Sequence, residues 1–125
     1  MAEPPDPPRG ETLAPPALLE KMRTRGRTIV IAEDDSEELG LLRSMNANAN
    51  VGGADLTHII LRADARLIEA WEEYLHGVQQ SCGVIEALGY DAAEVHVKRF
   101  MIRRRIALGL AENDVAVLRR LLGEF

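Results

Sequence analysis

Three histidines and one cysteine are the side chains here best suited to ligate a metal or act as a nucleophile, and their spacing limits what they can do. His58, His76 and His96 lie 18 and 20 residues apart, whereas two ligands on one helical face need a spacing of about three or four. No metal site is expected from them. Glu69, Glu72 and Glu73 precede His76 closely enough for i,i+3 and i,i+4 neighbours to make an acidic patch that attracts a cation. Taken alone, that pattern describes a solvated helix face. Cys82 has no second cysteine to pair with, and its neighbours Ser81 and Gly83-Val84-Ile85 describe a small packed residue more than a reactive thiol. The sequence has no Gly-rich phosphate loop, nucleophile elbow or paired-cysteine motif. No catalytic residue, metal or cofactor is therefore expected, and enzymatic activity is not.

The charged residues are unevenly spread. The net charge of −5 hides a run of Lys21, Arg23, Arg25 and Arg27 with no acid among them, and a second cluster of Lys98, Arg99, Arg103, Arg104 and Arg105. The acids concentrate at Glu33 to Glu38 and Glu69 to Glu73. Local charge, more than the total, decides whether an anionic partner is held. The first run is open to two readings, a solvated linker or an arm that contacts phosphate. The second cluster is expected to balance the acidic helices of the same fold.

The elements that must position these residues begin with Arg27 to Ile31, a β-branched run that reads as a strand. Asp34-Asp35-Ser36 supplies a helix N-cap ahead of Leu39, Leu41, Leu42 and Met45. After Asn46 to Asn50, Gly52-Gly53 breaks the chain, and Leu56, Ile59, Ile60 and Ala63 recur at a spacing that predicts a second helix from Ala54. A single strand cannot satisfy its own backbone groups, so its partner is expected to be another copy of the chain across a twofold axis.

Thr28-Ile29-Val30-Ile31, the leucine-bearing helix, and then Val51, Leu56, Ile59, Ile60 and Leu61 where the expected second helix packs resemble the ribbon-helix-helix family over residues 27–63. The resemblance implies a mainly α homodimer: two N-terminal strands pair across the dimer, helices pack beneath them, and a C-terminal helical extension follows. It implies double-stranded DNA as partner. The ribbon would enter the major groove with Thr28 and Val30 outward and Arg27 at its entrance, Arg23 and Arg25 of the preceding basic run also contacting DNA, and the amides of Gly52 and Gly53 gripping phosphate. The function implied is that of a sequence-selective transcriptional regulator or plasmid-transfer accessory factor. The alternative is an all-helical protein interaction module without DNA binding. Glu33-Asp34-Asp35 after a hydrophobic strand is also similar to the opening of a phosphoacceptor receiver domain. That reading is set aside because Leu56 to Leu61 comes too soon for the alternating βα units it requires.

Leu67, Trp71, Tyr74, Leu75, Val78 and Cys82 continue as a helical stripe, with a bend or break near Gly77 or Gly83. Asp91 with Glu94 begins another helix through about Leu110, and Asn113 begins a last one. All six prolines lie within the first 16 residues. The expected organisation is a disordered arm over 1–17, a DNA-binding domain over 18–66 and a helical extension over 67–125 that offers a surface to a protein partner. At 125 residues and 46% hydrophobic content the chain suits a small globular core, aliphatic because aromatics make up only 4%. No apolar run reaches the roughly 18 residues that a membrane span requires, so no membrane partner and a cytoplasmic location are expected.

Overall fold

A computed structural model describes residues 9–123. The chain runs α1 (Pro16–Thr24), β1 (Thr28–Ala32), α2 (Glu37–Ser44), β2 (Ala49–Gly52), β3 (His58–Arg62), α3 (Leu67–Ser81), α4 (Val84–Leu88), α5 (Tyr90–Arg103) and α6 (Glu112–Leu121). The three strands form one sheet in the order β1-β3-β2, with β1 parallel and β2 antiparallel to β3. Register places Ile29 beside Ile59, Val30 beside Ile60 and Ile31 beside Leu61.

The central strand explains the layering. Alternate side chains point to opposite faces of a sheet, so a strand covered on both sides needs apolar residues at every position. Ile59 and Leu61 belong to the core with Leu19, Met22, Ile29 and Ala70, which come from α1, β1 and α3. Ile60 turns the other way and packs with Ala32, Leu39 and Leu42 under α2. The sheet is thus sandwiched between α1 and α3 on one face and α2 on the other. A third cluster of Ile68, Val97, Met101, Val117 and Leu118 joins α3, α5 and α6, and half-buried Trp71 packs against both it and the first cluster.

These observations overturn the expected single-strand architecture. Residues 54–63 form a turn and a strand where a second helix was expected, and that strand supplies the intrachain partner that β1 was thought to lack. The physical reason lies in Ile59-Ile60-Leu61. An apolar triplet satisfies helical spacing as easily as a strand buried on both faces, and burial against α1, α2 and α3 decides between them. With β1 paired inside the chain there is no two-chain ribbon, so the ribbon-helix-helix resemblance and the strand-mediated homodimer both fall. The same sheet excludes the all-helical alternative.

Of the arm expected over 1–17, residues 1–8 lie outside the described residues, and the rest is tied down. Leu67 donates its amide to Thr12 (2.7 Å), and Ala14 donates to Ala65 (2.9 Å). α3 stops where Gly83 adopts φ +74°, a left-handed conformation that opens the turn into α4. No helix among the described residues is long and apolar enough to cross a membrane.

Candidate metal centre between α3 and α5

Glu72 and His76 stand four residues apart on α3, and so project from one helical face. α5 packs against α3 and brings Glu94 and Lys98, again four apart, to the same place. One ligand atom from each of Glu72, His76 and Glu94 lies within 4.8 Å of the other two. His76 is only 7% exposed. Its Nδ1 lies 2.9 Å from Gln79 Oε1, while the Gln79 amide donates to the carbonyl of Ala93 at 3.0 Å and faces His96 Nδ1 at 3.2 Å. Because the Gln79 nitrogen is committed to donating, its oxygen accepts, and His76 Nδ1 must carry a proton. Nε2 is then the free position of the neutral ring. It lies 3.1 Å from Glu94 Oε1, close enough for an ion pair, but the geometry is not that of a hydrogen bond, and the atom is buried without a hydrogen-bond partner.

Lys98 occupies the carboxylate side of this cluster. Its ammonium lies 2.9 Å from Glu94 Oε2 and 3.6 Å from Glu72 Oε1. The electrostatics follow from burial and these neighbours. Burial, reinforced by Glu72, pushes the Glu73 carboxyl up to about 8, so it holds a proton at neutral pH. Burial also raises Glu72, although Lys98 opposes it. His76, and to a lesser degree Lys98, draw Glu94 down to about 2 against the effect of burial. Burial works against the charges of His76 and Lys98, but the carboxylates outweigh it and both stay above their ordinary values. Three carboxyl groups thus share one permanent cation, and a proton on Glu73 relieves the excess.

A cleft of about 280 Å³ opens onto this cluster, bounded by Asn50 and Val51 of β2, Leu56, Glu73, His76, Tyr90 and Glu94. The turn that closes it reaches α3 because residue 77 is glycine. A Cβ there would stand 2.6 Å from the Leu56 carbonyl oxygen and 3.1 Å from the Arg27 guanidinium. Leu56 itself holds φ +52°, a conformation rarely adopted by a leucine. Two carboxylates and an imidazole suit Zn²⁺ or a similar divalent ion, and such a three-ligand set leaves a coordination position open to water.

The residues singled out in the sequence are dispersed by the fold. Of the acidic patch, Glu72 and Glu73 join His76, but Glu69 turns away to accept from Arg9 (2.9 Å) and from the Arg66 amide (2.9 Å). His58 is exposed on β3, and His96 reaches the cluster only through Gln79. Arg23 bonds to Glu20 (2.7 Å) and the Ile29 carbonyl (3.0 Å), and Arg27 lies 4.7 Å from the centre of the Tyr74 ring. Arg25 remains exposed. Thr28 opens β1, and Val30 is half buried on the sheet face it shares with Ile60. Gly52 pairs with His58, and Gly53 sits in the hairpin turn at φ +86°, so there is no second-helix N-terminus to hold phosphate. Among the described residues there is neither a two-chain ribbon nor a helix N-terminus at Gly52-Gly53 to grip phosphate, and this overturns the expected sequence-selective DNA binding. Glu94 and Lys98 were absent from the expected site. Their i,i+4 spacing was legible, but their meeting with α3 was not. No family model, curated protein or solved structure matches the chain.

Proposed function

We propose that this chain is a divalent-cation-binding domain whose ion is held by Glu72, His76 and Glu94. The observation that carries the reading is His76 Nε2: a nitrogen of a side chain more than nine-tenths buried, the lone-pair position of the neutral ring that Gln79 selects, without a hydrogen-bond partner, 3.1 Å from Glu94 Oε1 and in a cluster whose ligand atoms from Glu72, His76 and Glu94 lie within 4.8 Å of one another. A buried polar atom left unbonded costs about 1–3 kcal/mol, and an ion at this position removes that cost. Zinc bonds to nitrogen and oxygen of about 2.1 Å place tetrahedral ligands roughly 3.4 Å apart. His76 and Glu94 already meet that separation at 3.1 Å. Rotation of the Glu72 carboxylate, with Lys98 swinging toward solvent, completes the contraction. Gln79 is the outer partner that orients the imidazole.

Calorimetric titration with Zn²⁺ should give saturable binding of one ion per chain. Glu72→Gln, His76→Gln and Glu94→Gln should each weaken it by at least about a hundredfold, and Gln79→Leu by roughly 10 to 100-fold. The neighbouring carboxylates raise His76 and burial raises Glu73, and a bound cation opposes the proton on each, so affinity should rise from pH 6 to pH 8 with net proton release. Equal affinity in the folded His76→Gln variant, or no binding at pH 8, would sink the proposal.

A further inference from the structure

The structure assigns a second ligand site, independent of the metal centre, to the cleft between α1, the first half of α3 and the segment 106–109, and we infer that it takes a small organic anion with a planar apolar body. The cleft measures about 660 Å³, within the range of sites for small molecules, and Trp71, Tyr74 and Leu18 give it an apolar wall. Lys21 and Arg25 stand at the same cleft. They come from the basic run that precedes β1, and the fold treats its four members differently. Arg23 is paired with Glu20, and Arg27 is stacked on Tyr74. Among the described residues, Lys21 and Arg25 meet no carboxylate, so two positive side chains face an aromatic cleft without a counter-charge. At the rim Ile106 is 88% exposed, an apolar side chain that a ligand body would cover.

These features belong together chemically. An aromatic ring in the ligand packs against Trp71 and Tyr74, which line the cleft and stand edge to face at 5.9 Å. A phosphate or carboxylate on that ring meets Lys21 and Arg25 in charge-assisted hydrogen bonds, the guanidinium offering a two-pronged contact. Neither half suffices alone: the cations are exposed and hold a free inorganic anion weakly, while the apolar wall cannot discriminate between uncharged rings.

Trp71 is the only tryptophan, so its indole N–H gives a single resonance that reports on the cleft directly. Titration of the full chain with 1-naphthyl phosphate should shift that resonance saturably. Inorganic phosphate should leave it in place, and 1-naphthol should bind about tenfold or more weakly. 1-Naphthoate binding as tightly as the phosphate ester would mark carboxylates as the natural class, and much weaker binding would mark phosphates; either result supports the site. Lys21→Gln and Arg25→Gln, both at exposed positions, should each raise the Kd for the preferred anion by about tenfold, the loss of one charge-assisted contact. An unmoved indole signal would overturn the inference. So would equal binding of naphthol and naphthyl phosphate, or a shift that follows protein concentration without ligand, which would make the cleft a self-association surface.

Discussion

At the scale of single residues, the cluster between α3 and α5 shows how neighbours set protonation. Glu73 and Glu94 are both glutamates with an ordinary value of 4.5, yet one is pushed up to about 8 and the other held near 2. Burial beside Glu72 separates Glu73 from Glu94, which faces His76 and Lys98. The two act oppositely on stability. Between pH 4.5 and about 8 the folded chain keeps a proton on Glu73 that the unfolded chain has lost, so rising pH through that window removes stability. Glu94 stabilises the fold above 4.5, and that contribution is lost as pH falls toward about 2. Glu73→Gln should therefore flatten the fall in stability between pH 5 and pH 8 and make the protein more stable at pH 8. Urea denaturation at several pH values checks this, and an unchanged pH profile in the variant would show that Glu73 titrates normally.

At the scale of elements, the decisive contact is between α3 and the end of the β2–β3 hairpin. Gly77 lets the Leu56 carbonyl approach where any Cβ would collide with it, and Arg27 fills the adjoining space against Tyr74. This approach keeps Leu56 at the cleft beside His76. Gly77→Ala favours the helix by up to about 1 kcal/mol in backbone propensity, but a 2.6 Å contact with backbone must be relieved, and overpacking costs about 1–3 kcal/mol. The clash should win, lowering the denaturation midpoint and weakening Zn²⁺ binding at a residue that supplies no ligand. A midpoint equal to or above that of the parent chain would mean that the hairpin is free to move away.

At the scale of the whole molecule, a buried carboxylate joins the two ends of the described chain. Asp114 is fully buried near the start of α6 and accepts from the amides of Glu11 (2.9 Å), Thr12 (3.2 Å) and Ala111 (2.9 Å), and from the Thr12 hydroxyl. Burial opposes its charge, but the Thr12 hydroxyl and these amides outweigh it and hold the carboxyl below its ordinary value. Arg9 extends the tie to α3 through Glu69 and Asp64. Asp114→Ala leaves several donors without an acceptor and should cost at least about 2 kcal/mol. Hydrogen exchange should show the amides of Glu11, Thr12 and Leu67 losing protection together. Protection lost only within α6 would confine Asp114 to capping its own helix.

Much of the helical half was written in local pattern. The stripe through Leu67, Trp71 and Leu75, a break at one of Gly77 and Gly83, and the start of a last helix near Asn113 are short-range features, set by periodicity and by backbone conformations open to glycine, whereas the helix expected through about Leu110 ends at Arg103. Ser36 caps α2 through its hydroxyl, as its position before Leu39 implied. The β1 strand was equally legible from its β-branched run. What the local pattern could not settle was Ile59-Ile60-Leu61, whose state depends on whether one face or two are covered. Tertiary packing covers both, and that makes a central strand, pairs β1 within the chain and removes the need for a second copy. The candidate site divides in the same way. The four-residue spacings of Glu72 with His76 and of Glu94 with Lys98 are sequence properties, but the two pairs are more than twenty residues apart between their outer members. Only the turn through α4 and the packing of α5 on α3 bring them within bonding distance, because ligand geometry is a matter of ångströms and spacing along a chain fixes it only within one helix.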